Sequence, residues 1–187
     1  MSIFLPLLPC ILVGSIWASE YSDKTLLYMQ ISRKQKTQIF FSKTISSLLA
    51  VTTLFIAYVF GLILSKPTIF LKGEHLTEMY LVPWILLLVH TEILILIAIL
   101  CKSFSKTAMS TAILTLFYIF CYKLTTMYGN QNIFIRMIGE NTFSGIYVLT
   151  YQCIKQSVLL YRCAVNVTIG IVGTILAFFV FIKTTVF

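Results

Sequence analysis

The stretch Leu81–Leu100 reads LVPWILLLVHTEILILIAIL, an apolar run interrupted only by the triplet His90-Thr91-Glu92. An α-helix needs about 20 apolar residues to cross the roughly 30 Å hydrocarbon core of a bilayer. A surface helix of a water-soluble protein carries one apolar stripe instead, with polar residues on the opposite face. The stretch therefore predicts a transmembrane helix, and with it an all-α integral membrane protein.

The composition of the whole chain supports this interpretation. Of the 187 residues, 59% are hydrophobic and only 11% are charged, whereas about 25% is the usual charged share in a soluble domain. The formal net charge is +8, but the basic residues lie at the ends of apolar runs, where they face water and lipid headgroups. The lipid bilayer is therefore the expected partner, and nucleic acid is not.

Five apolar segments are predicted to span the membrane as one transmembrane domain, residues 1–187. They are residues 3–18, 45–64, 81–100, 107–125 and 164–182. The first is short and carries Pro6 and Pro9 in its opening turns, where a missing N–H is tolerated. It lacks the positively charged start of a signal peptide, so we expect a retained helix.

Basic residues predict the orientation of these spans. The segment between the first two spans contains the densest basic cluster in the chain, namely Lys24, Arg33, Lys34, Lys36 and Lys43. Because basic residues in short loops favour the cytoplasm, we place this segment inside, with the N-terminus outside and the C-terminus cytoplasmic. Eight Lys and Arg residues then lie inside and six outside. We expect a multi-pass protein of the cell membrane.

The long outer segment, residues 126–163, shows apolar residues at helical spacing. These are Phe143, Ile146, Tyr147, Tyr151, Ile154 and Val158. The pattern favours a pair of short re-entrant or interfacial helices at the outer surface. A plain extracellular amphipathic loop is the alternative.

The cytoplasmic segment Glu20–Lys43 reads EYSDKTLLYMQISRKQKTQIFFSK. It is too polar to span, and Asp23 is suited to cap a short helix that ends near Arg33, Lys34 and Lys36, where cations favour the helix dipole. Such a helix, held between two spans, can contact a soluble partner. A simple basic turn is the alternative.

This segment resembles the coupling segment of permeases of type-2 ABC exporters. The matching residues are Glu20, Thr25, Leu26, Leu27, Ile31, Ser32, Arg33 and Lys43. The family often has Gly before the Thr and Pro before Ile-Ser-Arg, where this chain has Lys24 and Gln30. The resemblance extends to the order of the spans, the short inner turn, the long outer segment and the final span. Such permeases have six spans, so we expect this chain to lack the first.

The resemblance implies that two membrane subunits, identical or different, enclose a pathway, and that separate ATPase subunits grip their coupling helices. It implies docking of the ATPase on Glu20, Thr25, Leu26, Leu27, Ile31 and Arg33. This chain has no Gly-x-x-x-x-Gly-Lys-Ser/Thr loop, so ATP is expected on the partner and no cofactor on this chain. A hydrophobic or amphipathic cargo, such as a peptide antibiotic, suits the low charge of the bundle, and a role in immunity to such a peptide fits as well.

His90 and Glu92 are the polar candidates inside the membrane, where a charged side chain costs about 2.5–3.5 kcal/mol or more. Two positions apart on a helix, they point to nearly opposite sides and cannot form one site. Glu92 is expected either to face the pathway or to be a buried, neutral carboxyl that hydrogen-bonds to Tyr118 or Thr115, whereas His90 is expected to be simply buried. Small residues four apart, Ala57/Gly61 and Ala108/Ala112, predict close helix packing.

Enzymatic activity is not expected. There is no His-Glu-x-x-His motif, Asp23 is the sole Asp, and every Lys lies near the end of a span. The five cysteines form no Cys-x-x-Cys pair, so no metal site is expected. The alternative to an exporter subunit is a small membrane protein not coupled to ATP: a channel, a carrier or an accessory immunity subunit.

Overall fold

The computed structural model describes residues 7–18, 33–65, 80–128, 131–136 and 156–184. Nearly all of them are helical, and no strand occurs among them. The helices are α1 (Leu7–Val13), continued by a π-helical turn (Gly14–Ala18), α2 (Arg33–Ser65), α3 (Val82–Cys101), α4 (Phe104–Tyr128) and α5 (Gln156–Thr184).

Four of the described helices are long and apolar enough to cross a membrane: Gln35–Ser65 within α2, α3, α4, and Cys163–Lys183 within α5. Their outward faces are apolar, and Phe60, Phe117 and Phe179 are each more than half exposed. Such faces suit lipid rather than water. An all-α protein with membrane-suited helices is therefore confirmed for the described residues.

The predicted first span, residues 3–18, is described only from Leu7. Helix α1 and its π-helical turn together cover twelve residues, which is about 18 Å at 1.5 Å per residue and short of a crossing. Four spans rather than five are thus evident among the described residues.

Two predicted segments lie largely outside the described residues. Of the coupling segment, residues 33–43 form the start of α2, while residues 20–32 are not described. Of the outer segment, residues 126–128 end α4, residues 133–136 form a turn of helix, and residues 156–163 begin α5. The coupling helix and the outer helix pair remain predictions.

Helix α3 is the centre of the bundle, because it contacts every other described helix and packs most extensively on α5. Pro83 lies in its first turn, where no N–H is required. The helix ends at Lys102, whose left-handed backbone (φ 51°) lets its N–H donate to the Ala98 carbonyl at 3.0 Å. Ser103 follows, and α4 begins at Phe104, so α3 and α4 form a tight antiparallel hairpin.

Two apolar clusters occupy opposite ends of the bundle. One is composed of Val13, Trp17, Phe40, Leu94, Ile95, Ala98, Ile99, Ala177 and Phe181. The other is composed of Val51, Phe55, Val82, Leu86, Leu87 and Cys163. The start of α2 therefore lies level with the ends of α3 and α5, so the helices alternate in direction. Lys36, Lys43, Lys102, Lys106 and Lys183 all lie at the end of the first cluster, which we call the basic end.

Candidate functional site

The predicted docking residues of the coupling segment are only partly within the described structure. Glu20, Thr25, Leu26, Leu27 and Ile31 lie outside it, and Arg33 is the first residue of α2. The structure does describe the helices that flank the segment, α1 with its π-helical turn on one side and α2 on the other. The informative contacts are therefore those that these flanking helices make at the basic end.

An aromatic cluster joins the two flanking helices to the final helix. The Trp17 ring packs edge-on against Phe40 of α2, with centroids 5.5 Å apart, and against Phe181 of α5, with centroids 5.8 Å apart. Phe40 also packs edge-on against Phe178 at 5.3 Å. Trp17, Phe40 and Phe181 are almost fully buried. Trp17, Phe40, Phe178 and Phe181, which we call the aromatic cluster, therefore pack closely together at the basic end.

Polar contacts fix Trp17 further. Its indole Nε1 donates to the Ser47 hydroxyl at 3.1 Å, in a buried position. The ammonium group of Lys43 lies 5.6 Å from the centroid of the Trp17 ring, within cation–π range. It also donates to the carbonyl of Ile16 in the π-helical turn at 3.4 Å. Ring contacts and hydrogen bonds thus hold the chain before the coupling segment against the chain after it.

Glu92, near the middle of α3, faces α5. The Thr174 hydroxyl lies beside its side chain and donates to the Gly170 carbonyl at 3.1 Å, and a Cβ built on Gly170 would lie 2.5 Å from the Oε2 atom of Glu92. The expected partners, Tyr118 and Thr115 of α4, lie on a different side of α3. Glu92 is the only acidic residue among those described, and it remains partly exposed.

His90 lies on another side of α3 and is almost fully buried. Its ring centroid is 5.8 Å from that of Tyr118 in α4. The two polar candidates of α3 therefore point to different helices, His90 to α4 and Glu92 to α5, and they do not form a joint site.

A ladder of threonines on α4 was missed by the sequence interpretation. Thr107, Thr111 and Thr115 are buried, and each hydroxyl donates to the carbonyl four residues earlier, at 2.7, 2.6 and 2.9 Å. The i, i+4 spacing of these residues was visible in the sequence. Because the hydroxyls are satisfied within their own helix, they allow close packing without creating a polar binding surface.

The predicted packing pair Ala57/Gly61 is wrong for contacts within this chain. Both residues are exposed, and a Cβ on Gly61 would meet nothing within 4 Å. The close approach occurs on α5 instead, where Gly170 contacts α3 and Ala177 is fully buried. On α4, Ala112 is exposed as well.

No group of three or more His, Cys, Asp or Glu side chains within the described ranges could hold a metal ion. No family model, no curated protein and no solved structure matches the chain. The functional inference therefore rests on the residues and contacts given above.

Proposed function

We propose that this chain is the membrane subunit of an ATP-driven exporter, with residues 20–33 as the docking element for a separate ATPase. The ATPase carries the nucleotide, and a second membrane subunit completes the pathway for a hydrophobic or amphipathic substrate. The protein lies in the cell membrane with its basic end in the cytoplasm. This chain has no phosphate-binding loop of its own, so its task is conformational rather than chemical.

The observation that carries the proposal is the contact of Trp17 and Phe40 with each other and with Phe181. These two residues lie on the helices that precede and follow the docking element. A close-packed interior transmits displacement instead of absorbing it. Force applied to the docking element by an ATPase would therefore pass through the closely packed aromatic cluster to α5. From α5 it would reach the central helix α3.

The distribution of charge supports the orientation. Five lysines at the basic end, Lys36, Lys43, Lys102, Lys106 and Lys183, lie beside the ends of α2, α3, α4 and α5. Basic residues at this position favour the cytoplasmic face. The docking element starts from the same end, so it would be accessible to a cytoplasmic ATPase. ATP-driven closure of that ATPase would then shift the population between two arrangements of the helices.

Purification of the tagged chain in mild detergent tests the proposal. An ATPase with a phosphate-binding loop should copurify, and Leu27→Asp combined with Arg33→Glu should abolish its association and transport while membrane insertion is unchanged. A matched control reverses charge in the other turn at the basic end, with Lys102→Glu and Ser105→Asp, and should retain the ATPase. Undiminished ATPase on the docking variant would remove the basis for a coupling segment and favour a membrane protein not coupled to ATP.

A further inference from the structure

The hydroxyl of Thr44 in α2 differs from those of the other buried threonines that the structure describes. Each of the others donates to the carbonyl four residues earlier in its own helix; they are Thr91, Thr107, Thr111 and Thr115. Thr44 is buried as well, yet its hydroxyl oxygen has no hydrogen-bond partner among the described residues. A buried polar group without a partner is costly and rare in folded proteins, so this hydroxyl requires an explanation.

Thr44 lies between the two residues of α2 that hold Trp17. Phe40, one turn nearer the start of α2, packs edge-on against the Trp17 ring. Ser47, one turn further on, accepts the hydrogen bond from the indole Nε1 at 3.1 Å. Because side chains three or four positions apart share one face of a helix, Thr44 lies on the face of α2 that Trp17 contacts. Its hydroxyl is therefore a second acceptor for the same N–H group, about 5–6 Å from the first.

We propose that Trp17 alternates between two positions on α2, with its indole N–H bonded to Ser47 in one and to Thr44 in the other. The structure shows the Ser47 position. The π-helical turn Gly14–Ala18, which contains Trp17, makes the change local. Its hydrogen bonds join residues five apart, and a return to the four-residue spacing of an α-helix shifts Trp17 along α2 without moving α1.

The Thr44 position lies nearer the basic end, because α2 begins there. Three residues of an α-helix span about 4.5 Å, so the change moves Trp17 and Ala18 by about this distance towards the docking element. Phe40 lies one turn beyond Thr44 in the same direction, so the Trp17 ring keeps this neighbour as it moves. Discrete shifts of this kind between packed helices are a common form of conformational switch. The meaning of the shift for coupling rests on the proposed function, whereas the two bonded positions do not.

Hydrogen exchange of the Trp17 indole N–H tests the two positions. The chain contains two tryptophans, so the Trp17 signal of nitrogen-15-labelled protein in lipid nanodiscs is assigned with a Trp84→Phe variant. In Ser47→Ala the N–H should bond to Thr44, and adding Thr44→Val should then speed exchange about 2- to 10-fold, the effect of losing one hydrogen bond. Thr53→Val in place of Thr44→Val is the matched control. The Thr53 hydroxyl bonds to the Leu49 carbonyl of the same helix, so the exchange rate should not change.

Thr44→Val alone separates an acceptor from a residue that merely stabilises the bundle. While Ser47 is present it accepts the hydrogen bond, so Thr44→Val by itself should not speed exchange. If Thr44→Val left the rate of Ser47→Ala unaltered, Thr44 would not be an acceptor. If it sped exchange equally with and without Ser47, its effect would be general instability. Either result overturns the proposal. The measurement contains no ATPase, so its outcome does not decide the coupling proposal, and a failure to copurify an ATPase does not decide this one.

Discussion

Gly170 of α5 and Glu92 of α3 are in such close contact that a Cβ on residue 170 would lie 2.5 Å from the carboxyl oxygen Oε2. The same Cβ would lie 3.1 Å from Cγ1 of Val89. The carboxyl group of Glu92 therefore lies in the space that the absent side chain of residue 170 leaves open. Gly170 marks a place where the two most extensively packed helices approach each other closely.

Replacement of this glycine should separate the helices. We expect Gly170→Ala to destabilise the protein by about 1–3 kcal/mol, because the added methyl group would press on the stiff, β-branched side chain of Val89. Gly61→Ala is the control: a Cβ there meets nothing within 4 Å, and Ala is favoured over Gly in a helix by about 0.5–1 kcal/mol. Unfolding in detergent measures both. Equal stability of the two variants would contradict close packing of α3 against α5 at Gly170.

The threonine ladder of α4 predicts that stability depends on the volume of the side chain at position 111 more than on its hydroxyl group. Thr111 is fully buried, and its hydroxyl bonds only within its own helix. We expect Thr111→Val to change stability by less than about 1 kcal/mol, because the lost hydrogen bond is local and the shape is retained. Thr111→Leu should cost about 1–3 kcal/mol by overpacking. A large loss of transport with normal stability in Thr111→Val would contradict this and assign the hydroxyl to a pathway.

The sequence predicted the spans better than it predicted the ends of the helices. Leu81–Leu100 corresponds closely to α3, because a tight turn begins where the apolar run ends. In contrast, the predicted span 45–64 lies within a helix that begins at Arg33. An apolar run reports the part of a helix that suits hydrocarbon, whereas the backbone hydrogen bonds of the helix continue into polar sequence.

Which face of each helix is buried could not be predicted from composition. In a membrane the lipid-facing and protein-facing surfaces are both apolar, so the spacing of apolar residues does not show which face of a helix packs against protein. Small residues occur on α2 (Ala57 and Gly61) and on α5 (Gly170 and Ala177), yet only those of α5 lie at a helix contact. The same limit applies to Glu92, whose depth was evident from the sequence but whose neighbouring helix was not.

The orientation is tested by single cysteines placed on either side of α4. Lys106 is exposed at its start and Gln131 is exposed after its end. In a cysteine-free background, an impermeant thiol reagent should label Gln131→Cys on intact cells and should label Lys106→Cys only after permeabilisation. The physical reason is the lysine content of the basic end, which favours the cytoplasm. The opposite pattern would place the docking element outside and exclude a cytoplasmic ATPase.

Disruption of the aromatic cluster should lower transport per ATP hydrolysed more than it lowers binding of the ATPase. Trp17→Ala should remove the contacts with Phe40 and Phe181 and the hydrogen bond to Ser47. Replacement of a buried Trp by Ala costs about 3–5 kcal/mol. Because the docking element itself is unchanged, we expect the ATPase to copurify and hydrolyse ATP while transport decreases. Transport per mole of ATP hydrolysed, in proteoliposomes, is the measurement.

A milder pair of substitutions separates coupling from general instability. Trp17→Phe retains an aromatic ring but removes the Nε1 donor, and Ser47→Ala removes the acceptor. Each should cost about 0.5–1.5 kcal/mol, and the double variant should cost less than the two effects added together, because both remove the same hydrogen bond. Transport per ATP should remain near that of the parent in both, since the ring contacts with Phe40 and Phe181 persist. If Trp17→Phe were as uncoupled as Trp17→Ala, ring packing would not be the link between the docking element and α5.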